Sequence, residues 1–263
     1  MNRLLVSALF AVAVAAFTLP AAEVNFAHIF QGKDGCFLLY DLKANKVVQR
    51  FNEKRCAQRF APCSTFKVPL ALMAFDRGIL KDENTTYQWD GVDRGRPEVN
   101  RDTSAADWIR NSVVWYSQRL TPELGPGTIT NYLARFDYGN QDISGGLTNF
   151  WLGSSLKISA DEQVRFWERF WRGELPVSPH ATEVTRKITY QETSPSGMRL
   201  SGKTGSHLYG REELGWFVGH LEGPKGEYLV VVNYSGPTSA SNSYPGLIAR
   251  GICLDILGEL GLD

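Results

Sequence analysis

Ser64-Thr65-Phe66-Lys67 sets a hydroxyl and an amine three residues apart, which on a helix is one face. A hydroxyl is a poor nucleophile until a base takes its proton, so the pair reads as nucleophile and base for a covalent reaction at a carbonyl. Two further signals follow in order, Ser112-Val113-Val114 and Lys203-Thr204-Gly205. Ser112 closes a helical pattern and its hydroxyl is free to face a cleft; on local grounds alone a serine there is more often a helix-end or loop serine. Lys203 lies in a strand-like run, where Gly205 has no side chain to keep a ligand from the backbone and the ammonium draws a carboxylate. The rival reading of Lys203 is a lysine guarding a sheet edge.

Context separates these residues from look-alikes. A second S-x-x-K occurs at Ser154-Ser155-Leu156-Lys157, but only Ser64 precedes a long apolar run, Val68 to Phe75, that ends at Gly78 and reads as a helix buried on every side. Pro69 is tolerated only near a helix start, so that helix begins close to Ser64 and presents free N–H groups to developing negative charge. Ser64 as a simple helix cap is the bland alternative. Gly197 to Thr204 also matches the phosphate-loop pattern G-x-x-x-x-G-K-[ST]. That motif must open a helix, and here another strand follows, so nucleotide binding is excluded. Of the four histidines, only His207 falls near the expected cleft, and no G-x-S-x-G elbow or metal-ligand spacing is present.

The elements that must position these groups come from both ends of the chain. Runs at 35–42 and 46–51 form a hairpin, and Met198–Thr204, Trp216–Leu221 and Tyr228–Asn233 supply three more strands before a helix over Gly246–Leu260. Between them lie helices after Ser64 and over Ala105–Ser112, Thr128–Phe136 and Ala160–Trp171, the last opened by a Ser159/Glu162 capping box. The expectation is an α/β (α+β) fold, a five-stranded antiparallel sheet with terminal helices and a helical region inserted at about residues 61–194.

The chain has 263 residues, 43% of them hydrophobic, with 28 basic and 28 acidic side chains, so it can bury a core and has no charge surplus to seek nucleic acid. Met1-Asn2-Arg3, an apolar stretch from Leu4 to Leu19 and Ala21-Ala22 read as a secretory signal peptide over residues 1–22, leaving a single domain at 23–263. As a membrane span the stretch is at the short edge of the ~17–25 residues needed. The destination is the periplasm, with no membrane contact after processing. Cys36, Cys56, Cys63 and Cys253 admit three pairings; Cys36 with Cys56, flanking the first hairpin, is one reading and buried free thiols the other.

With Tyr138-Gly139-Asn140 and Trp151-Leu152 added, the motifs and their order resemble the class D, oxacillin-hydrolysing serine β-lactamases across essentially the whole mature chain. The resemblance implies a β-lactamase/transpeptidase-like fold, β-lactam substrates and no metal or bound cofactor beyond carbon dioxide or bicarbonate. It implies Ser64 as nucleophile, Lys67 as a base that becomes a carbamate, Ser112 as proton relay, Val114 as apolar cover and Trp151 as hydrogen-bond donor to the carbamate. Lys203, Thr204, Gly205 and Ser206 would line the substrate, with the Ser64 and Ser206 N–H groups as oxyanion hole. Arg250 would hold the substrate carboxylate. An apolar setting of Phe66, Val68, Val114 and Trp151 suits this chemistry, because it lowers a lysine pKa from ~10.4 and frees the neutral amine that can abstract a proton or capture carbon dioxide. Transpeptidases and β-lactam sensors share the acylation motifs; one domain without an additional apolar span favours the enzyme, as a monomer or homodimer.

Overall fold

The computed structural model describes residues 24–238 and 244–263, and the expected leader lies outside them. In chain order the elements are α1 (Phe26–Phe30), β1 (Asp34–Asp41), β2 (Lys46–Phe51), α2 (Glu53–Ala57), a 3-10 turn (Cys63–Phe66), α3 (Lys67–Asp76) and the short β3 (Thr86–Tyr87). A second 3-10 turn (Pro97–Val99) precedes β4 (Thr103–Ser104), α4 (Ala105–Arg110), α5 (Val114–Leu124), α6 (Pro126–Phe136), α7 (Ala160–Arg172) and α8 (Pro179–Thr189). The chain returns through β5 (Tyr190–Thr193), β6 (Arg199–Tyr209), β7 (Glu212–Gly223) and β8 (Gly226–Pro237), and ends in α9 (Pro245–Glu259).

The main sheet runs β2-β1-β8-β7-β6-β5, every pair antiparallel. Both faces are covered, which is why β8 reads Leu229-Val230-Val231-Val232 without polar alternation. Successive residues part company as the pleat demands: Leu229 and Val231 join Leu38, Trp216 and Val218 in the core under the helical region, whereas Val230 and Val232 join Phe37, Leu39 and Phe217 under α1 and α9. The β1–β8 pairing, with Cys36 opposite Asn233, stitches the start of the chain to its end.

The sheet has a sixth strand beyond the five expected. β5 is an exposed edge of four residues, Tyr190-Gln191-Glu192-Thr193, with no buried face to leave an apolar signal, and it replaces the last residues of the expected helical region. The helix expected to reach Ser112 stops at Arg110, and α5 begins at Val114 in a run, Val113-Val114-Trp115-Tyr116, whose β-branched and aromatic residues disguise it. The α7 capping box is present, Ser159 and Glu162 satisfying each other's backbone N–H.

All four cysteines are free and buried, the second of the two readings. Cys36 and Cys56 share a thiol–thiol hydrogen bond that raises the pKa of Cys36 and lowers that of Cys56.

Candidate active site

The 3-10 turn Cys63–Phe66 delivers Ser64 into a cleft between the sheet and the helical region. Several contacts hold that turn. Cys63 sits at φ 52, a conformation that costs a side-chain-bearing residue about 1–3 kcal/mol, and its N–H donates to the Trp151 carbonyl at 3.0 Å. Thr65 Oγ1 donates to the Pro62 carbonyl at 2.7 Å and accepts from Gln163 Nε2 of α7 at 3.1 Å. On the sheet side, β6 approaches so closely that a Cβ on Gly205 would lie 2.9 Å from the Pro62 carbonyl oxygen. Gly205 therefore admits the nucleophile turn to the sheet, a structural task in place of the expected open backbone for ligand.

Lys67 opens α3 with its Nζ 3.1 Å from Ser64 Oγ, and it is fully buried. Burial, then the neighbouring Lys203 charge, push its pKa well below the usual lysine range, so the amine is biased toward its neutral form. Phe66 stacks on Trp151 at 5.8 Å between ring centroids, and Phe150 packs edge-on against the same indole at 5.0 Å. Trp151 Nε1 is buried without a hydrogen-bond partner. Leaving such a donor unsatisfied costs about 1–3 kcal/mol, so it is free to bond a water or a ligand. Trp167 and Trp171 Nε1 are buried in the same way, and what sets Trp151 apart is its stacking on Phe66, next to Lys67 in the chain.

Ser112 occupies the turn between α4 and α5 at φ 55, and Val114 lines the cleft one residue into α5. Lys203 projects from β6, but its ammonium lies behind the cleft wall: only 2% exposed, Nζ donates to Ser112 Oγ at 3.1 Å and to the Thr204 carbonyl at 3.1 Å. Burial and then the Arg96 charge push its pKa down to about 7. Its first partner is thus the Ser112 hydroxyl, and β6 is an inner strand, which removes the edge-guard reading. Thr204 and Ser206 line the cleft as expected, and Ser206 Oγ accepts from the Gly246 N–H at 2.8 Å, pinning α9 to β6.

Arg250 is not at the cleft. Its guanidinium donates to Gln191 at 2.8 Å and pairs with Glu192, both on β5. Three residues earlier on α9, Leu247 lines the cleft instead, so the arginine sits about one helical turn away from it. The second S-x-x-K is also set aside: Ser154 Oγ bonds the Gly145 carbonyl in an exposed loop. Among the cleft residues that went unnoticed in the sequence are Arg96 beside the second 3-10 turn and Tyr244 at the cap of α9. Neither belongs to a motif. Elsewhere among the described residues, His220, Glu222 and Glu227 could offer ligand atoms to a metal, but His220 already bonds Glu227 at 2.8 Å and Glu222 pairs with Arg199.

A serine hydroxyl 3.1 Å from a buried lysine amine at a helix start, with a second serine and a β-strand lysine by the same cleft, is the arrangement expected of the penicillin-interacting serine enzymes. The family model for the penicillin binding protein transpeptidase domain matches residues 34–257. Within that class the relatives are specific. Beta-lactamase OXA-1 of Escherichia coli is 40% identical over 242 residues, 89% of this chain and 87% of that protein. Beta-lactamase OXA-2 of Salmonella typhimurium is 34% identical over 213 residues, 81% of this chain and 76% of that protein. The solved class D β-lactamase from Bacillus subtilis superposes with a TM-score of 0.84 at 36% identity, covering 93% of this chain and 99% of that one. The chain belongs to the class D serine β-lactamases.

Proposed function

We propose that the protein hydrolyses the β-lactam amide of penicillin-type antibiotics through an acyl-enzyme on Ser64, with Lys67 acting as general base in carbamylated form, and that it thereby confers antibiotic resistance. The observation that carries this reading is the buried Lys67 amine 3.1 Å from Ser64 Oγ; the Trp151 indole stacked on Phe66 adds a buried N–H with no partner among the described residues.

Ser64 Oγ attacks the lactam carbonyl carbon as its proton passes to the Lys67 side chain. The Ser64 N–H, in the first helical turn, and the Ser206 N–H receive the developing oxyanion. The carbon–nitrogen bond then breaks, and the ring nitrogen takes a proton from the Ser112 hydroxyl, which Lys203 Nζ replenishes across 3.1 Å. The proton taken from Ser64 passes from the Lys67 side chain back to Lys203, leaving Lys67 free to act as base again before water attacks. Water completes the cycle by attacking the Ser64 ester.

That second attack needs a base after the first proton has been used. A neutral lysine amine is the form that combines with carbon dioxide, and Trp151 Nε1 would donate to the resulting carboxylate. When bound, the group supplies a base strong enough to deprotonate Ser64 and later the water. No helix among the described residues is long and apolar enough to cross a membrane, in keeping with an exported periplasmic enzyme.

Purified protein is expected to hydrolyse a chromogenic cephalosporin continuously, whereas one equivalent of colour with a stable adduct would mean a sensor or transpeptidase. Ser64→Ala should show no mass increase with penicillin. Turnover should fall in bicarbonate-depleted, mildly acidic buffer and recover on adding bicarbonate; an absent carbamate signal in carbon-13 NMR with labelled bicarbonate would leave Lys67 a plain amine.

A further inference from the structure

We infer that Arg96 is the residue that binds the substrate's ring carboxylate, in place of an arginine on α9. The inference rests on the β-lactam hydrolase reading and deepens it.

Every β-lactam of the penicillin type carries an anionic carboxylate near the scissile amide, and a cleft that binds it needs a cation within reach. Four cationic side chains are candidates. Lys203 is 2% exposed and turned to Ser112 and Thr204, so its ammonium is enclosed by protein. Arg250 is bound to Gln191 and Glu192 on β5, and Leu247 fills the cleft-facing position on α9. Arg110 lines the outer cleft but is 75% exposed, in an ion pair with Asp107 at 3.5 Å, so it is a mobile, solvated charge. Arg96 remains, and it is held in place.

Its Nη2 donates to the Asn111 carbonyl at 3.2 Å, which fixes it beside Ser112, and its guanidinium lies 5.7 Å from the centre of the Tyr244 ring on the opposite wall. The side chain therefore spans the cleft from the α4–α5 turn to the start of α9. Glu98 takes its Nε at 2.8 Å, and Nη1 has no hydrogen-bond partner among the described residues. An arginine oriented on two sides with donors left over is preorganised for a carboxylate, and the loss of rotamer freedom on binding is already met. The cleft holds about 380 Å³ and is lined by Ser64, Thr204 and Arg96 together, so one ligand could meet Ser64 with its lactam and Arg96 with its carboxylate. Glu98 is the one carboxylate among the described residues of this lining; it takes the Arg96 Nε and offsets part of its charge, so what Arg96 offers the substrate is the Nη1 and Nη2 donors on the edge turned from Glu98.

The test uses benzylpenicillin and its methyl ester, which keeps the lactam but not the charge, on wild type, Arg96→Ala, Arg96→Lys and Arg250→Ala. Arg96→Ala should raise KM for benzylpenicillin by roughly ten- to a hundredfold, the range for losing a hydrogen bond to a charged group. It should leave kcat within about threefold and kcat/KM for the ester unchanged, because the ester has no anion to lose. Arg96→Lys should recover part of the KM, and Arg250→Ala should match wild type. An Arg96→Ala effect equal on acid and ester, or confined to kcat with a displaced acid limb of the pH profile, would mean that Arg96 acts through Lys67 and Lys203 and would overturn the assignment. So would a KM effect carried by Arg250→Ala. Wild-type protein that fails to turn over benzylpenicillin would remove the hydrolase reading itself, a result separable from all of these.

Discussion

Trp151 and Lys203 each bury a polar nitrogen, and the role proposed for each can be tested by deleting that atom alone. Trp151→Phe keeps the ring that stacks on Phe66 and deletes the unpartnered Nε1. Acylation should persist while deacylation slows roughly ten- to a hundredfold, the usual cost of losing a supporting hydrogen bond to a reactive group. The measurement is the mass of the protein during turnover, with accumulated acyl-enzyme expected; an unchanged steady state would remove the indole from the chemistry. Lys203 carries a different consequence. Its pKa of about 7 in the folded protein lies below the ~10.4 of an unfolded chain, so between those values the unfolded state binds the extra proton and stability rises with pH. Below pH 7 both states are protonated and the burial penalty is fully felt. Lys203→Met should therefore be most stabilising relative to wild type near pH 6–7 and lose that advantage toward pH 10, while turnover collapses because Ser112 Oγ loses its donor. Denaturant melts at the two pH values decide it; a pH-independent difference would mean that the lysine is not buried as a titrating group.

At the scale of elements, the site depends on how β6 meets the nucleophile turn. Gly205→Ala would drive a Cβ to 2.9 Å from the Pro62 carbonyl and 3.2 Å from Thr65, so strand and turn must separate by a few tenths of an ångström. Misplacement of about 1 Å can cost on the order of a hundredfold in rate, so kcat/KM should fall by at least roughly tenfold with the far-ultraviolet spectrum unchanged. Wild-type kinetics in that variant would show the approach to be slack. The same elements explain what the sequence revealed. Ser64, Lys67, Ser112 and Lys203 were legible because fixed spacing and an all-apolar run after Ser64 leave few alternative folds, and β1, β6, β7 and β8 were legible from their apolar runs. The structure joins Lys67 to Ser64 as their spacing asks, whereas the bond from Lys203 to Ser112 was not foreseen, since Lys203 was expected to face a substrate carboxylate. β5 was not legible, being polar and exposed, and neither was α5, whose first turn carries strand-forming residues. Arg250 was misplaced by one helical turn, because α9 has apolar residues on most sides and its phase against β6 is set by the close contact at Gly246. Arg96 carried no signal: its role comes from a loop that only tertiary packing brings against Tyr244.

The whole molecule is arranged so that the catalytic cleft cannot outlast the fold. The helical region and one sheet face share a single core, in which Trp216 and Val218 of β7 and Leu229 and Val231 of β8 lie with Phe66, Trp108, Phe150 and Trp167. Trp216 Nε1 also donates to the Ala61 carbonyl at 2.9 Å, tying the sheet to the chain just ahead of the nucleophile turn. The inserted region thus has no separate core to retain when the sheet opens, and β1 must still find β8 across nearly the full length of the chain. Of the seven tryptophans only Trp216 lies on the sheet. In urea, tryptophan fluorescence of a Trp216→Phe variant therefore reports the helical region, while far-ultraviolet circular dichroism reports all elements. The two transitions should coincide, and activity should vanish with them. Ser64 acylated by a slowly released β-lactam should shift both midpoints upward together, because the adduct exists only on the folded cleft. A fluorescence transition preceding the dichroism change would show that the helical region melts on its own, and the shared core inferred from these contacts would not be what holds the cleft closed.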